Sequence, residues 1–145
     1  MDIRSGRERA DEILAAWNSR DFGRVAAQLA DDVVLVDHTR GRTAEGPAAY
    51  VDRFRPVLDA CPDMQGESLS VVTDGNLVVH ETKWQGKHTV ALQLPGGGNI
   101  PPTNQPTTTH LVTYLEFDDS GKAKRVRTYG NPRELTASSQ SVGVG

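Results

Sequence analysis

The feature that most constrains this chain is a set of long alternating segments in its second half. Because side chains alternate between the two faces of a β-strand, residues two apart share a face. Between Val78 and Trp84, one face receives Val78, His80, Thr82 and Trp84, and the other receives Val79, Glu81 and Lys83. Similar patterns at 107–117 and 122–129 predict further strands of one antiparallel sheet. The apolar face of such a sheet has to be buried against other secondary-structure elements.

The first third of the chain predicts helices that could supply this cover. Ser5 and Glu8 have the spacing of a capping box, and the apolar residues that follow predict a helix to about Asn18. Asp21 is placed to cap a second helix, which we expect to end at Asp31–Asp32.

A short strand at Val33–Val36 should follow and deliver Asp37 and His38 to its far end. Pro47 suits the first position of a third helix that ends at Cys61–Pro62. Together these elements predict an α+β fold in which a curved antiparallel or mixed sheet is covered by three N-terminal helices. This arrangement leaves a concave pocket of the kind that small molecules occupy.

Two segments are predicted to lie outside the regular elements. Leu94–Pro106 is rich in Pro and Gly, which favours a flexible loop at the rim of the sheet that could gate a pocket. Residues 136–145 are small and polar, which indicates a flexible C-terminal tail after a single domain at 1–135.

Composition and charge exclude several classes of function. The net charge of -3 provides no basic field, so we expect no nucleic-acid partner. No apolar run approaches the roughly 18 residues of a membrane span, and residues 1–5 do not lead into a signal segment. The single cysteine, Cys61, excludes an internal disulfide framework. These features predict a cytoplasmic protein with no membrane partner.

The order of elements resembles the nuclear transport factor 2-like α+β cone and, within it, the SnoaL-like polyketide cyclases. The resemblance is carried by 30–38, by Gly86–Thr89 with the downstream Pro101–Thr103, and by 120–122 leading to 127–131. It implies an apolar cavity, a small hydrophobic polyketide-like substrate and catalysis without a cofactor. It also implies a homodimer formed through the outer sheet face, which here would carry Glu81, Lys83, Glu116, Arg125 and Arg127.

The resemblance also suggests which positions carry the chemistry. In the aldol cyclases of this family, a catalytic Asp occupies the position of Thr128 and a partner His falls near Thr113. A threonine cannot take a proton from an activated methylene near neutral pH, so these hydroxyls are candidates for binding the substrate instead. In the related ketosteroid isomerases, the general-base aspartate falls on Asp37, but the oxyanion tyrosine falls on Ile13 and the protonated aspartate on Thr113.

Asp37 is therefore the candidate catalytic residue. It ends an apolar strand, where a carboxylate that faces a dry cavity would be tuned for general acid or base work. The alternative is that it caps the following turn through Thr39 or Arg40, or simply meets solvent at the strand end.

Four further side chains are candidates for binding the substrate. His80 shares a face with Thr82 and Trp84, so it either faces the cavity or is a hydrogen-bonded core histidine. His88 could donate to a substrate oxygen or bond a backbone carbonyl of the rim loop. Trp17 and Trp84 could form flat walls for a ring system, with core packing as the alternative.

The sequence predicts neither a metal site nor a cofactor site. Its four histidines lack the short spacing of typical metal ligands. Gly96–Gly98 lacks the strand-turn-helix context of a phosphate-binding loop.

Three functions remain open at this point. The first is a polyketide cyclase of antibiotic or other natural-product biosynthesis, which closes a ring with help from Asp37 or by a pericyclic route. The second is an isomerase or dehydratase with Asp37 as its base. The third is a non-catalytic ligand-binding or dimerisation module.

Overall fold

The computed structural model describes residues 5–94, 96–131 and 134, so the predicted tail lies outside the described residues. Its helices are α1 (Gly6–Asn18), α2 (Phe22–Ala27) and α3 (Pro47–Ala60). Its strands are β1 (Leu29–Asp37), β2 (Arg42–Glu45), β3 (Gln65–Asp74), β4 (Leu77–Lys87), β5 (Leu92–Gln93), β6 (Asn99–Ile100), β7 (Pro106–Phe117) and β8 (Ala123–Gly130).

Within the described residues, six strands form one sheet in the order β2-β1-β8-β7-β4-β3. Its neighbours are antiparallel except β1 and β8, which are parallel. The sheet is mixed and curved, and α1 and α3 pack against it. The predicted α+β architecture with three covering helices is therefore confirmed.

The two N-terminal helices begin where the sequence predicts. The Ser5 Oγ accepts a hydrogen bond from the Glu8 N–H at 3.1 Å, and the Asp21 Oδ1 accepts one from the Arg24 N–H at 3.0 Å. Each cap satisfies a backbone donor that the first helical turn leaves free.

The predicted boundary between α2 and β1 is wrong. The helix ends at Ala27, and Asp31 and Asp32 belong to the strand. Leu29 is already extended, fully buried and paired with Ala123, and the register shifts between Leu29 and Val34. The irregularity lets the two aspartates face solvent within the strand.

The rim segment differs from the predicted loop in part. Asn99–Ile100 forms β6, which pairs with β5 in a short hairpin, whereas residues 101–105 carry no helix or strand. The turn contains Gly96, Gly97 and Gly98 at φ of 83°, 103° and 80°, where a side chain would be strained. The three glycines therefore allow the chain to turn between β5 and β6. The edge strand β2, which pairs with the end of β1, was also not predicted.

The faces of β4 are as predicted. Val78, His80 and Thr82 are buried against the helices, while the residues between them are half-buried on the outer face. On the helix side, Trp17 packs edge-on against Phe54 with 5.8 Å between ring centroids. No helix among the described residues is long and apolar enough to cross a membrane.

Candidate functional site

A cavity of about 130 Å³ lies between the helices and the inner face of the sheet. Its helical side is formed mainly by apolar residues, including the aromatic Trp17, Tyr50 and Phe54, and Trp84 and Leu111 contribute from the sheet. A cavity of about 150 Å³ holds a benzene molecule, whereas pockets for drug-sized ligands are typically about 300–1,000 Å³. The cavity can therefore enclose about one ring of a larger molecule.

Four polar residues cross the sheet side of this cavity in one row. His80 on β4 is opposite Thr113 on β7, Thr113 is opposite Thr128 on β8, and Thr128 is opposite Asp37 on β1. All four line the cavity. Residues directly opposite each other in a sheet have Cβ atoms about 5 Å apart, so the side chains are neighbours. We call these four residues the polar row.

Asp37 is buried, with 3% of its surface exposed, and its oxygens are all engaged. The Oδ2 atom pairs with the Arg53 guanidinium from α3. The Oδ1 atom accepts hydrogen bonds from the Thr39 N–H at 3.0 Å and the Thr128 hydroxyl at 3.1 Å. Asp37 therefore faces the cavity, and it does so as one half of an ion pair. It also caps the turn through Thr39, as the alternative predicted.

His80 lies at the other end of the polar row and is also buried. Its Nε2 atom is 2.9 Å from the Ser68 hydroxyl. Burial lowers the pKa of His80, which nearby Asp11 raises and Arg7 lowers to smaller extents. The imidazole is therefore neutral near pH 7. One ring nitrogen can donate a hydrogen bond and the other can accept one, and the tautomer decides which nitrogen does which.

Among the described lining residues, His80 is best placed to exchange a proton near neutral pH. Burial raises the pKa of Tyr50, so its hydroxyl keeps its proton. The Asp37 carboxylate already accepts from three donors, which leaves about one of its four lone-pair positions for a substrate group.

The two predicted tryptophans both line the cavity, and both also pack in the core. The Trp17 ring stacks against Tyr50 with centroids 6.2 Å apart. The Trp84 Nε1–H donates to the Thr82 hydroxyl at 3.0 Å, so this indole offers a ligand its face rather than its N–H group.

His88 is the predicted site residue that the structure does not bring to the cavity. It is buried under the rim segment, where its Nδ1 atom is 3.4 Å from the Thr103 hydroxyl. Its backbone carbonyl accepts from the Asn104 N–H and its N–H donates to the Gln105 carbonyl. Its position corrects the prediction that it binds substrate, because it orders the segment between the hairpin and β7.

The sequence interpretation missed two arginines that line the cavity, Arg53 and Arg40. Arg53 follows Tyr50 by three residues and precedes Val57 by four, so it interrupts the apolar stripe of α3. A charged residue at such a position has to find a partner inside, which is a signal that the sequence does contain.

No group of three or more His, Cys, Asp or Glu side chains in the described part of the chain could hold a metal ion.

Comparisons with known proteins agree with this architecture. A family model described as SnoaL-like domain matches residues 10–126. A search of curated proteins gave no match. The comparisons confirm the nuclear transport factor 2-like fold and the resemblance to SnoaL-like cyclases.

Three solved structures illustrate the similarity. AclR of Streptomyces galilaeus, provisionally assigned as a hydroxylase, is 26% identical with a TM-score of 0.78, and the match covers 94% of this chain and 98% of that one. IdmH of Streptomyces antibioticus, provisionally assigned as a polyketide cyclase, is 18% identical with a TM-score of 0.77, covering 93% and 98%. A SnoaL-like protein of Jannaschia sp. CCS1, also provisionally assigned as a polyketide cyclase, is 16% identical with a TM-score of 0.75, covering 94% and 99%.

Proposed function

Because this chain belongs to the SnoaL-like domain family, we propose that it is a cofactor-independent polyketide cyclase, an enzyme of the cyclase or isomerase type. Its substrate would be a small, hydrophobic, polyketide-derived intermediate of natural-product biosynthesis. The observation that carries the proposal is the polar row, which crosses the floor of an otherwise largely apolar cavity.

The first contribution of this site is the shape that it imposes on the substrate. The cavity has room for about one ring, so a flexible chain that enters it has to curl. Holding two reacting atoms in a near-attack geometry is worth up to about 7–11 kcal/mol in favourable intramolecular reactions. Closure of a ring inside this cavity could therefore be fast without a cofactor.

The second contribution is a set of hydrogen-bonding groups along one line of the substrate. The Thr113 hydroxyl can donate to a carbonyl oxygen. The Thr128 hydroxyl donates to Asp37, so it can only accept a hydrogen bond from the substrate, and neutral His80 can donate to an enol oxygen or accept its proton. Asp37 has about one lone-pair position left, through which it can accept a hydrogen bond or a proton from the substrate. Otherwise the ion pair of Asp37 and Arg53 orients the row while the ring closes by a pericyclic route.

The test is to add the purified protein to a reconstituted minimal polyketide synthase and follow the products by mass-resolved chromatography. We expect a cyclised product that does not form, or forms more slowly, without the protein. Asp37→Asn should lower the rate at least about tenfold if Asp37 transfers a proton, and Arg55→Gln serves as the control because Arg55 lies outside the cavity.

The possible outcomes separate the routes. An unchanged rate with Asp37→Asn would favour the pericyclic route over proton transfer by Asp37. A product profile identical with and without the wild-type protein, across intermediates of several chain lengths, would contradict the cyclase proposal.

We also propose that the protein is a cytoplasmic homodimer that pairs through the outer face of the sheet. This face exposes 62% of Val72 and 40% of Tyr129, and Tyr129 stacks on His38 with centroids 4.6 Å apart. Exposed apolar groups on the face of a sheet favour contact with a second protein surface. Light scattering after gel filtration should show a dimer that Val72→Glu weakens and Val90→Glu, on an exposed loop, does not. A monomeric wild type would refute the dimer.

A further inference from the structure

A second and larger recess lies beside the cavity, on the other side of α3. It has a volume of about 810 Å³ and is walled by β2, α3 and the hairpin of β5 and β6. It shares Arg40, Arg53 and Val57 with the cavity, so the two spaces meet at these side chains. We call this recess the arginine groove.

The sizes of the two spaces are complementary. The cavity is too small for a whole polyketide intermediate, whereas the groove falls within the range of about 300–1,000 Å³ typical of ligand pockets. A substrate with one ring in the cavity therefore has to leave its remaining atoms somewhere, and the groove is the adjoining space.

Positive charge is concentrated where the two spaces meet. Arg40, Arg42 and Arg53 line the groove, and the Asp37 carboxylate pairs with Arg53. Among the described residues, neither Arg40 nor Arg42 forms an ion pair. Two carboxylates, Asp52 and Glu45, also line the groove. Glu45 is three residues along β2 from Arg42, or about 10 Å away.

The arginines are close enough to destabilise one another. Burial lowers the pKa of Arg40, and the positive charges of Arg53 and Arg42 lower it further, while Asp37 raises it. An added anion would relieve this repulsion, since guanidinium groups bind carboxylate and phosphate oxygens through paired hydrogen bonds.

One buried donor beside the groove has no acceptor among the described residues. It is the Nε–H of Arg53, which lines both the groove and the cavity. A buried donor without a partner is destabilising, so a ligand oxygen that reached this N–H group would be bound favourably.

Apolar side chains from two elements also line the groove. Pro56 and Val57 contribute from α3, and Leu92, Leu94 and Ile100 contribute from the hairpin side. These residues can contact an alkyl chain or the edge of a ring system, so the groove is suited to an amphipathic molecule rather than to a free inorganic ion.

We propose that the arginine groove binds the anionic end of the substrate, a carboxylate or phosphate joined to a hydrophobic body whose ring enters the cavity. This inference rests on the proposed function for the identity of the molecule as a substrate. The binding geometry itself rests on the groove and its arginines.

The test uses three probes that share one aromatic body: 2-naphthylacetate, 2-naphthyl phosphate and methyl 2-naphthylacetate. Calorimetry with the full chain should show that at least one anion binds about tenfold or more tightly than the neutral ester. Arg40→Gln and Arg42→Gln should each weaken binding of the preferred anion by about tenfold and leave binding of the ester unchanged, because each removes a charged hydrogen-bond donor that only the anion uses. Arg55→Gln, on the same helix as Arg53 but outside the groove, should change neither.

The preferred anion identifies the source of the charge. Preference for the acetate would assign a free carboxylic acid, and preference for the phosphate would assign a phosphate-bearing carrier group. Equal affinity of anions and ester, or anion binding that is unaffected by both substitutions, would overturn the inference.

Failure of this inference can be distinguished from failure of the proposed function. A cyclised product together with no preference for anions would refute anion binding in the groove and would support the cyclase proposal. Arginine-dependent anion binding without any cyclised product would refute the cyclase and leave the groove as an anion-binding site.

Discussion

Replacing Arg53 by Gln should destabilise the fold, because it leaves the Asp37 carboxylate buried without its cation. The Asp37 side chain is 4% exposed and that of Arg53 is 18% exposed. At a separation of about 3 Å and an effective dielectric constant of about 20, the attraction is about 5 kcal/mol. Removing one partner of a buried pair costs about 3–5 kcal/mol. The Thr39 N–H and the Thr128 hydroxyl still donate to the carboxylate, so we expect Arg53→Gln to lower the free energy of unfolding by about 3 kcal/mol.

Replacing the other partner of the ion pair should cost less stability. Asp37→Asn leaves a guanidinium that can reach water, so we expect a loss of about 1–2 kcal/mol. The double variant should be less destabilised than the sum of the two single variants, with a coupling of about 1–3 kcal/mol. This coupling isolates the pair from the packing of the Arg53 methylene groups.

The assay is equilibrium urea unfolding near pH 7, followed by tryptophan fluorescence, since Trp17 and Trp84 both lie in the structured core. Arg55→Gln removes an exposed pair on the same helix and should cost less than about 0.5 kcal/mol. If Arg53→Gln costs no more than this control and the coupling is zero, the reasoning that Asp37 is an inward, paired carboxylate is refuted.

Three smaller perturbations test other parts of the site. Burial lowers the pKa of His80 below its unfolded value, so the unfolded state binds more protons and wild-type stability should fall as pH drops below about 6.5; His80→Asn should remove this dependence in urea titrations at several pH values. Gly66→Ala places a Cβ 2.8 Å from the Trp84 ring and should cost about 1–3 kcal/mol in thermal unfolding, whereas Gly23→Ala, on open α2, should be neutral or stabilising. Thr128→Val removes a donor to the carboxylate of the polar row and should cost about 1–2 kcal/mol in urea unfolding, with Thr128→Ser close to wild type.

The four members of the polar row are predicted as candidate site residues, but neither the strand register that aligns them nor their bonding is. Alternation within a strand is a local property, so His80 could be assigned to the inner face from its neighbours alone. The position of Asp37 at the end of an apolar strand was similarly local. The ion pair required the packing of α3 over β1, which brings Arg53 to Asp37 across sixteen residues of sequence. Pattern along one element does not specify how two elements pack.

The errors elsewhere have similar physical origins. Asp31 and Asp32 resemble a helix end, yet the pairing of Leu29 with Ala123 extends the chain earlier than local propensity indicates. The glycines at 96–98 favour a loop by composition, whereas their positive φ values close a hairpin. The arginine groove depends on that hairpin, so it could not be predicted from the sequence.

The most direct test of the account is a crystal structure of the protein with bound 2-naphthylacetate. We expect one ring of the naphthalene group in the cavity, with carbon atoms within about 4 Å of Trp17 and Trp84, over the hydroxyls of Thr113 and Thr128. A ring bound on the outer face of the sheet, with the cavity closed and Asp37 facing solvent, would contradict the claim that this cavity is where the substrate reacts.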